Sequence, residues 1–152
     1  VKNTQINMVF TSGIYHEQKA KDKDFIFLAG SIDKNYEIDW RINAINYLGE
    51  KFHIYDPRIT NHSELTDNEM KNHVEWELNA LSSADRIILN FLPDAKSPIS
   101  LLELGMYVRS KKLIVVCPKK FYKNQYVKTL CNKYNTPCFN KISDAIQLIQ
   151  TK

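Results

Sequence analysis

The sequence predicts an α/β fold: a five-stranded, mostly parallel sheet with helices on both faces. Three observations carry that prediction. Residues 25–29 and 113–117 are short, continuous apolar runs and 87–92 is apolar but for Asn90, as expected of strands buried on both faces. Segments with apolar residues at helical spacing alternate with them through short connections, the pattern of βα units. At 152 residues, with 43% hydrophobic and 25% charged content, the chain has the size and composition of one globular domain with a full core.

Taken in order, residues 1–24 read as an N-terminal extension. In it, residues 6–10 are a candidate short strand, Thr11-Ser12-Gly13 a turn, and 17–24 a polar run into the domain of residues 25–152. The first strand of that domain, 25–29, is broken by Gly30-Ser31. Ile38, Ile42, Ile45 and Leu48 then recur at helical spacing, and Gly49 is a C-terminal stop. Residues 52–55 are the second strand, closed by Asp56-Pro57-Arg58. A polar loop, 59–66, precedes a helix whose apolar stripe is Met70, Val74, Leu78 and Leu81. Residues 86–92 are the third strand. Ser97 is a good N-cap and Pro98 suits the first helical position, so a helix starts there. Residues 113–117 are the fourth strand, ended by Pro118. Val127, Leu130, Cys131 and Tyr134 mark another helix, and 137–139 a short fifth strand. Ser143 caps a last helix through Ala145, Ile146 and Ile149.

Composition narrows the function classes. No apolar run approaches the roughly 20 residues of a membrane helix. The start, Val1-Lys2-Asn3-Thr4-Gln5, lacks the apolar core of a signal peptide. The net charge of +4 is mild, and the lysines of the last third form no dense run. They read as a solvated surface rather than a nucleic-acid patch, and a modest positive field suits a small anionic substrate. The three cysteines have no CxxC spacing, which suggests neither zinc nor a disulfide framework. Cys117 ends an apolar run and is expected as a buried thiol. A reducing, cytoplasmic setting fits.

Doubly wound sheets bind ligands beyond the carboxyl ends of their strands, near the point where strand order reverses. In the flavodoxin-like order this lies between the first and third strands, so the loops of interest are 30–35, 56–62 and 93–100. The first is neither a GxGxxG fingerprint nor a P-loop. Its Gly-Ser turn is an ordinary βα turn or one that presents N–H groups and a hydroxyl to a phosphate. The second offers Asp56, Arg58, Asn61 and His62, either as recognition groups or as a polar surface loop with Arg58 in a salt bridge. The third leads into the helix bearing Glu103. Ile99, Met106 and Tyr107 surround that carboxylate, with a second stripe of Leu101, Leu104 and Val108 beside them. A buried charge needs a partner or a purpose; the structural alternative is an exposed acid or a pair with Arg109. Glu77 lies one helical turn from His73, and its structural alternative is a half-exposed helix acid. Two carboxylates on one pocket suit retaining glycosyl transfer, one as nucleophile and one as proton donor or acceptor.

Four segments resemble the nucleoside 2-deoxyribosyltransferase-like family. They are Phe27-Leu28-Ala29-Gly30-Ser31-Ile32 with Asp39-Trp40 downstream; Tyr55-Asp56-Pro57-Arg58; Val74-Glu75-Trp76-Glu77-Leu78 with Ala84-Asp85; and Ser97-Pro98-Ile99-Ser100-Leu101-Leu102-Glu103-Leu104-Gly105. The resemblance implies a flavodoxin-like (Rossmann-like) three-layer fold. It implies exchange or cleavage of the N-glycosidic bond of a (deoxy)nucleoside or nucleoside 5′-monophosphate, with no metal or redox cofactor. By position, Glu103 is the implied nucleophile and Glu77 the assisting acid, where many relatives have Asp. Ser97 occupies the position that is Ser in monophosphate glycosidases and Asp in transferases of free nucleosides. Ser31 matches the other half of the phosphate site, with Gly30, Ile32 and Ser100 beside it. Those glycosidases carry an Arg after Ser-Ile; here Asp33 stands there, followed by Lys34. Asp56, Arg58, His62 and Trp40 are placed around the base. A homodimer or higher homo-oligomer, with no nucleic-acid or membrane partner, is implied as well. The alternative reading is a nucleotide-binding or sensing module of the same fold without turnover.

Overall fold

The computed structural model describes residues 9–12, 22–32, 39–59 and 62–151, with His62 described in its backbone only. The positions of Asp33, Lys34 and Asn61 lie outside these residues.

Among the described residues, the sheet has six parallel strands rather than five: β1 (Val9–Thr11), β2 (Phe25–Gly30), β3 (His53–Asp56), β4 (Arg86–Asn90), β5 (Leu113–Val116) and β6 (Cys138–Phe139). Their order is β1-β3-β2-β4-β5-β6. The additional strand falls in the N-terminal extension, where a short strand was expected, and pairs Val9 with Ile54 and Thr11 with Asp56 along the edge of β3. Five α-helices among the described residues complete the sandwich: α1 (Trp40–Leu48), α2 (Asp67–Ser83), α3 (Pro98–Tyr107), α4 (Asn124–Lys133) and α5 (Ile142–Gln150).

The central strands are apolar throughout because both faces are covered. Phe25, Phe27 and Ala29 of β2 point into a cluster with Leu81 of α2, Leu104 of α3 and Val127 of α4. Ile26 and Leu28 point the other way, against Ala44 of α1 and Ile146 of α5. Each fully buried side chain of this size contributes about 1.5–3 kcal/mol relative to an exposed one. The chain moves from β2 to β3 on one side and then to β4 on the other. The strand order therefore reverses between β2 and β4, and their carboxyl ends open a crevice.

Helix ends follow local chemistry in part. Thr66 and Glu69 form a reciprocal capping box at the start of α2. Asp39 caps α1 by accepting from the Arg41 N–H. The α5 cap is Lys141 rather than Ser143, which lies inside the helix. Ser97 precedes α3 as expected, but its side chain makes no capping bond.

Three helices differ in part from the sequence expectation. In α1, Ile42 is exposed and Arg41 is buried against the sheet. In α2, Val74 and Leu78 face outward, while His73, Ala80 and Leu81 are buried and Trp76 packs on the core. In α3, Leu104 is buried, as is Val108 at its C-terminal cap, whereas Ile99, Leu102 and Met106 are exposed.

Candidate active site

The crevice is built first by Gly30. Its φ is +135°, and a Cβ there would lie 2.2 Å from the Asn90 carbonyl oxygen. Only glycine combines that backbone conformation with so close an approach of β2 to β4. The next residue, Ser31, donates its N–H to the Asn90 carbonyl at 2.9 Å. Its Oγ accepts from the Leu92 N–H at 3.0 Å and shares a short hydrogen bond with Ser97 Oγ. Ser97 reaches it from a left-handed backbone, φ 52° and ψ 54°. For a residue other than glycine this costs about 1–2 kcal/mol. Two loops that the sequence separates by 66 residues thus meet through their serines.

Beneath this turn lies Arg41, at 1% exposure. Its Nε donates to the Leu28 carbonyl at 2.9 Å and Nη2 to the Gly30 carbonyl at 3.0 Å. Nη1 reaches the Ser31 carbonyl at 3.4 Å and the Asp39 carboxylate at 3.3 Å. The planar fork suits this task because it offers several donors in fixed directions. Burial pulls the guanidinium below its ordinary pKa, and the charges of Asp39 and Asp56 oppose that pull. Trp40 lies beside it, with its ring 4.6 Å from the guanidinium carbon and its indole N–H donating to the Ser31 carbonyl at 3.2 Å.

Above Arg41, a cavity of about 130 Å³ is lined by Gly30, Ile32, Arg58, Ser100 and the two carboxylates, Glu77 and Glu103. Glu103 is 7% exposed. Burial, and then the charge of Glu77, push its carboxyl up to about 7, while Arg41 opposes the rise. Burial also raises Glu77, again opposed by Arg41. His73 Nε2 stands 3.2 Å from Glu77 Oε2, and His73 also lines the cavity. Arg109 is not the partner of Glu103: it donates to the Tyr134 hydroxyl at 2.6 Å and lies over that ring.

The sequence-predicted residues divide into three groups. Gly30, Ile32, Arg58, Ser100, Glu77 and Glu103 line one cavity. Ser31 and Ser97 are joined to each other at the strand ends. Trp40 and Asp56 act from behind: Trp40 holds the Ser31 carbonyl, and Asp56, 4% exposed, holds Arg58 through contacts of 2.6–3.1 Å. The His62 side chain lies outside the described residues; its backbone is in a short 3-10 turn, His62–Glu64. Arg41 was missed because helical periodicity assigns an arginine to solvent. In the sequence, His73 figures only as a neighbour of Glu77, one helical turn away. Among the described residues, no group of three or more His, Cys, Asp or Glu is placed to hold a metal ion.

Residues 23–121 match the family described as nucleoside 2-deoxyribosyltransferase like, a span of more than half the chain. The chain belongs to this family. The span that matches the nucleoside 2-deoxyribosyltransferase-like family holds β2 to β5, the Gly30-Ser31 turn, Arg41 and both carboxylates, whereas β1 lies before it. No curated protein matches the sequence. Among solved structures, the fold is shared with a conserved protein from Enterococcus faecalis V583, at 18% identity and a TM-score of 0.55 over 85% of this chain and 98% of that one. No helix among the described residues is long and apolar enough to cross a membrane.

Proposed function

We propose that this protein cleaves or exchanges the N-glycosidic bond of a nucleoside or nucleoside 5′-monophosphate through a covalent glycosyl-Glu103 intermediate. The observation that carries the reading is the pairing of Glu77 and Glu103 in one small cavity at the strand-order reversal. A Glu103 oxygen attacks C1′, and the C1′–N bond breaks with its electron pair leaving on the base. Glu77 gives its proton to that nitrogen. In the second half, water or an acceptor base loses a proton to Glu77 and attacks C1′, freeing the Glu103 carboxylate. Two acids coupled in this way lose their protons in two steps, and the singly protonated pair is the working form.

Ser31, Ser97, Ser100 and the first turn of α3 hold the 5′ end, a helix start being favourable for an anion. Arg58, steadied by Asp56, faces the substrate. The outward apolar residues Val74, Leu78, Ile99, Leu102 and Met106 support association into a homo-oligomer. Three free cysteines support a reducing, cytoplasmic setting.

The test is incubation with a panel of nucleosides and 5′-monophosphates, with and without an acceptor base, followed by chromatography. Free base without acceptor marks a hydrolase, and a swapped nucleoside marks a transferase. Glu103→Ala abolishes both products while circular dichroism stays unchanged. Unaltered turnover in that variant would overturn the assignment.

A further inference from the structure

A second cavity, of about 370 Å³, opens beside the carboxylate cavity. Ile59 and His73 line both, so the two adjoin across these side chains. Trp76, Asn72, Glu69 and Ser12 complete the second one in chief. Ser12 directly follows β1, the strand that lies before the span matched by the family. This cavity is therefore built in part by a segment outside the span that the family model matches.

We propose that this second cavity seats the planar heterocycle of the substrate, with its polar edge facing Asn72 and Ser12. The inference rests on the N-glycosyl reading above. Volume argues first. Pockets that enclose a small organic ligand run to roughly 300–1,000 Å³, and the carboxylate cavity holds about 130 Å³. That is room for a pentose beside Glu77 and Glu103, and not for a nucleoside. With C1′ held at Glu103, the base extends out of this space, and the adjoining cavity offers the larger volume.

Chemistry argues next. Ile59, Leu65 and the Trp76 ring give apolar walls, and a few polar groups stand among them, the composition of a small-molecule site. Trp76 is fixed by ring contacts to Tyr55 at 6.2 Å and Phe27 at 6.4 Å. A fixed indole is a stacking surface for any base. The Asn72 amide offers a donor and an acceptor side by side, complementary to a ring edge that presents an acceptor next to an amino group. Glu69 is engaged in the capping box with Thr66, and His73 in its pair with Glu77; Asn72 and the Ser12 hydroxyl are the further polar groups of the lining, and they read the edge. The fitting class is an amino-substituted purine or pyrimidine.

The experiment uses the full chain, saturation-transfer difference NMR and three probes: adenine, cytosine and 2-deoxyribose 5-phosphate. Asn72 is exposed on α2, so Asn72→Phe fills the cavity without disturbing the core. The wild type binds at least one of the two bases. In Asn72→Phe that base binds at least tenfold more weakly, while 2-deoxyribose 5-phosphate binds as before. Asn72→Ala, which removes the amide and keeps the space, weakens the amino-substituted base less than Asn72→Phe does. Absence of binding by both bases, or equal base binding in the wild type and Asn72→Phe, overturns the inference. Failure of the glycosyl reading shows separately, as a wild type that binds the base yet releases none from any nucleoside or nucleotide.

Discussion

His73 Nε2 lies 3.2 Å from Glu77 Oε2, one turn apart on α2, and both side chains line the cavity that holds Glu103. The imidazole is 6% exposed and its ring lies nearly parallel to Trp76, at an interplanar angle of 17°. Glu77 is therefore aimed by a side chain that is itself held in place. A partly screened side-chain pair of this kind contributes up to about 1 kcal/mol. If all of it acts on the transition state, His73→Ala lowers kcat by up to about fivefold. Steady-state kinetics on the wild type, His73→Ala and His73→Gln check this: kcat falls more than KM changes, and Gln restores part of the loss.

Glu103 carries a pH signature. With its carboxyl at about 7, the last proton of the pair is lost as pH rises through that value. The kcat/KM profile therefore has an alkaline limb near neutrality. The charge of Glu77 helps to raise Glu103, so removing it lowers Glu103. Glu77→Gln leaves no shared proton to lose and removes the alkaline limb, even as it depresses the maximum rate through loss of the proton donor. A limb that stays in place would show that the two groups are not coupled.

The same displacement sets a stability cost. Glu103 rises from an ordinary value of 4.5 to about 7, so the folded state favours its neutral form. Below pH 4.5 both folded and unfolded chains hold the proton, and the site costs nothing. Between 4.5 and 7 the unfolded chain releases its proton first, and stability is lost as pH rises. Above 7 the loss is complete, about 3 kcal/mol at 1.36 kcal/mol per tenfold change in proton affinity. Glu103→Gln is accordingly more stable than the wild type at pH 8 by up to that amount, with little difference at pH 4. Urea denaturation at the two pH values measures it.

Ser97 separates strain from binding. Ser97→Ala and Ser97→Gly both delete the hydroxyl that meets Ser31, and both raise KM for a phosphorylated substrate. They differ in backbone freedom at a φ of 52°. Ser97→Gly melts higher than Ser97→Ala, by the equivalent of about 1 kcal/mol. Equal melting temperatures would mean that the left-handed conformation is not strained.

Gly30 admits no such exchange. A methyl group at Gly30 would sit 2.2 Å from the Asn90 oxygen, which is backbone and part of the β2–β4 ladder. Gly30→Ala forces these two strand ends apart. It loses both stability and turnover, by several kcal/mol in chemical denaturation if β2 and β4 keep their register.

What the sequence disclosed followed from how each residue earns its place. The strands of residues 25–29 and 113–117 were legible because burial on both faces leaves an unbroken apolar run. The start of α3 was legible from Pro98. Glu103 stood out because apolar side chains surround it in the helix. The inner face of α2 was misread, since Val74 and Leu78 are apolar yet outward, and His73 and Glu77 take the inward places. Hydrophobic periodicity marks faces as wet or dry, and a polar cavity inside a domain is neither. Arg41 was hidden for the same reason. Ser97 was read as a cap because nothing local distinguishes a serine that bonds its own helix from one that bonds a loop 66 residues away.

Arg41 has one more consequence. Three backbone carbonyls and Asp39 take its donors, so its positive charge cannot swing to follow a substrate or leave when a product departs. It supplies a constant background potential against which Glu77, Glu103 and any incoming anion are measured. Among the described residues, the other arginine lining the cavity is Arg58, whose side chain is 31% exposed and tied to one carboxylate; on the proposed reading, discrimination among substrates falls to it. Variation at position 58 would retune which ligand is accepted, whereas variation at position 41 would shift the reference point for every charge in the crevice together.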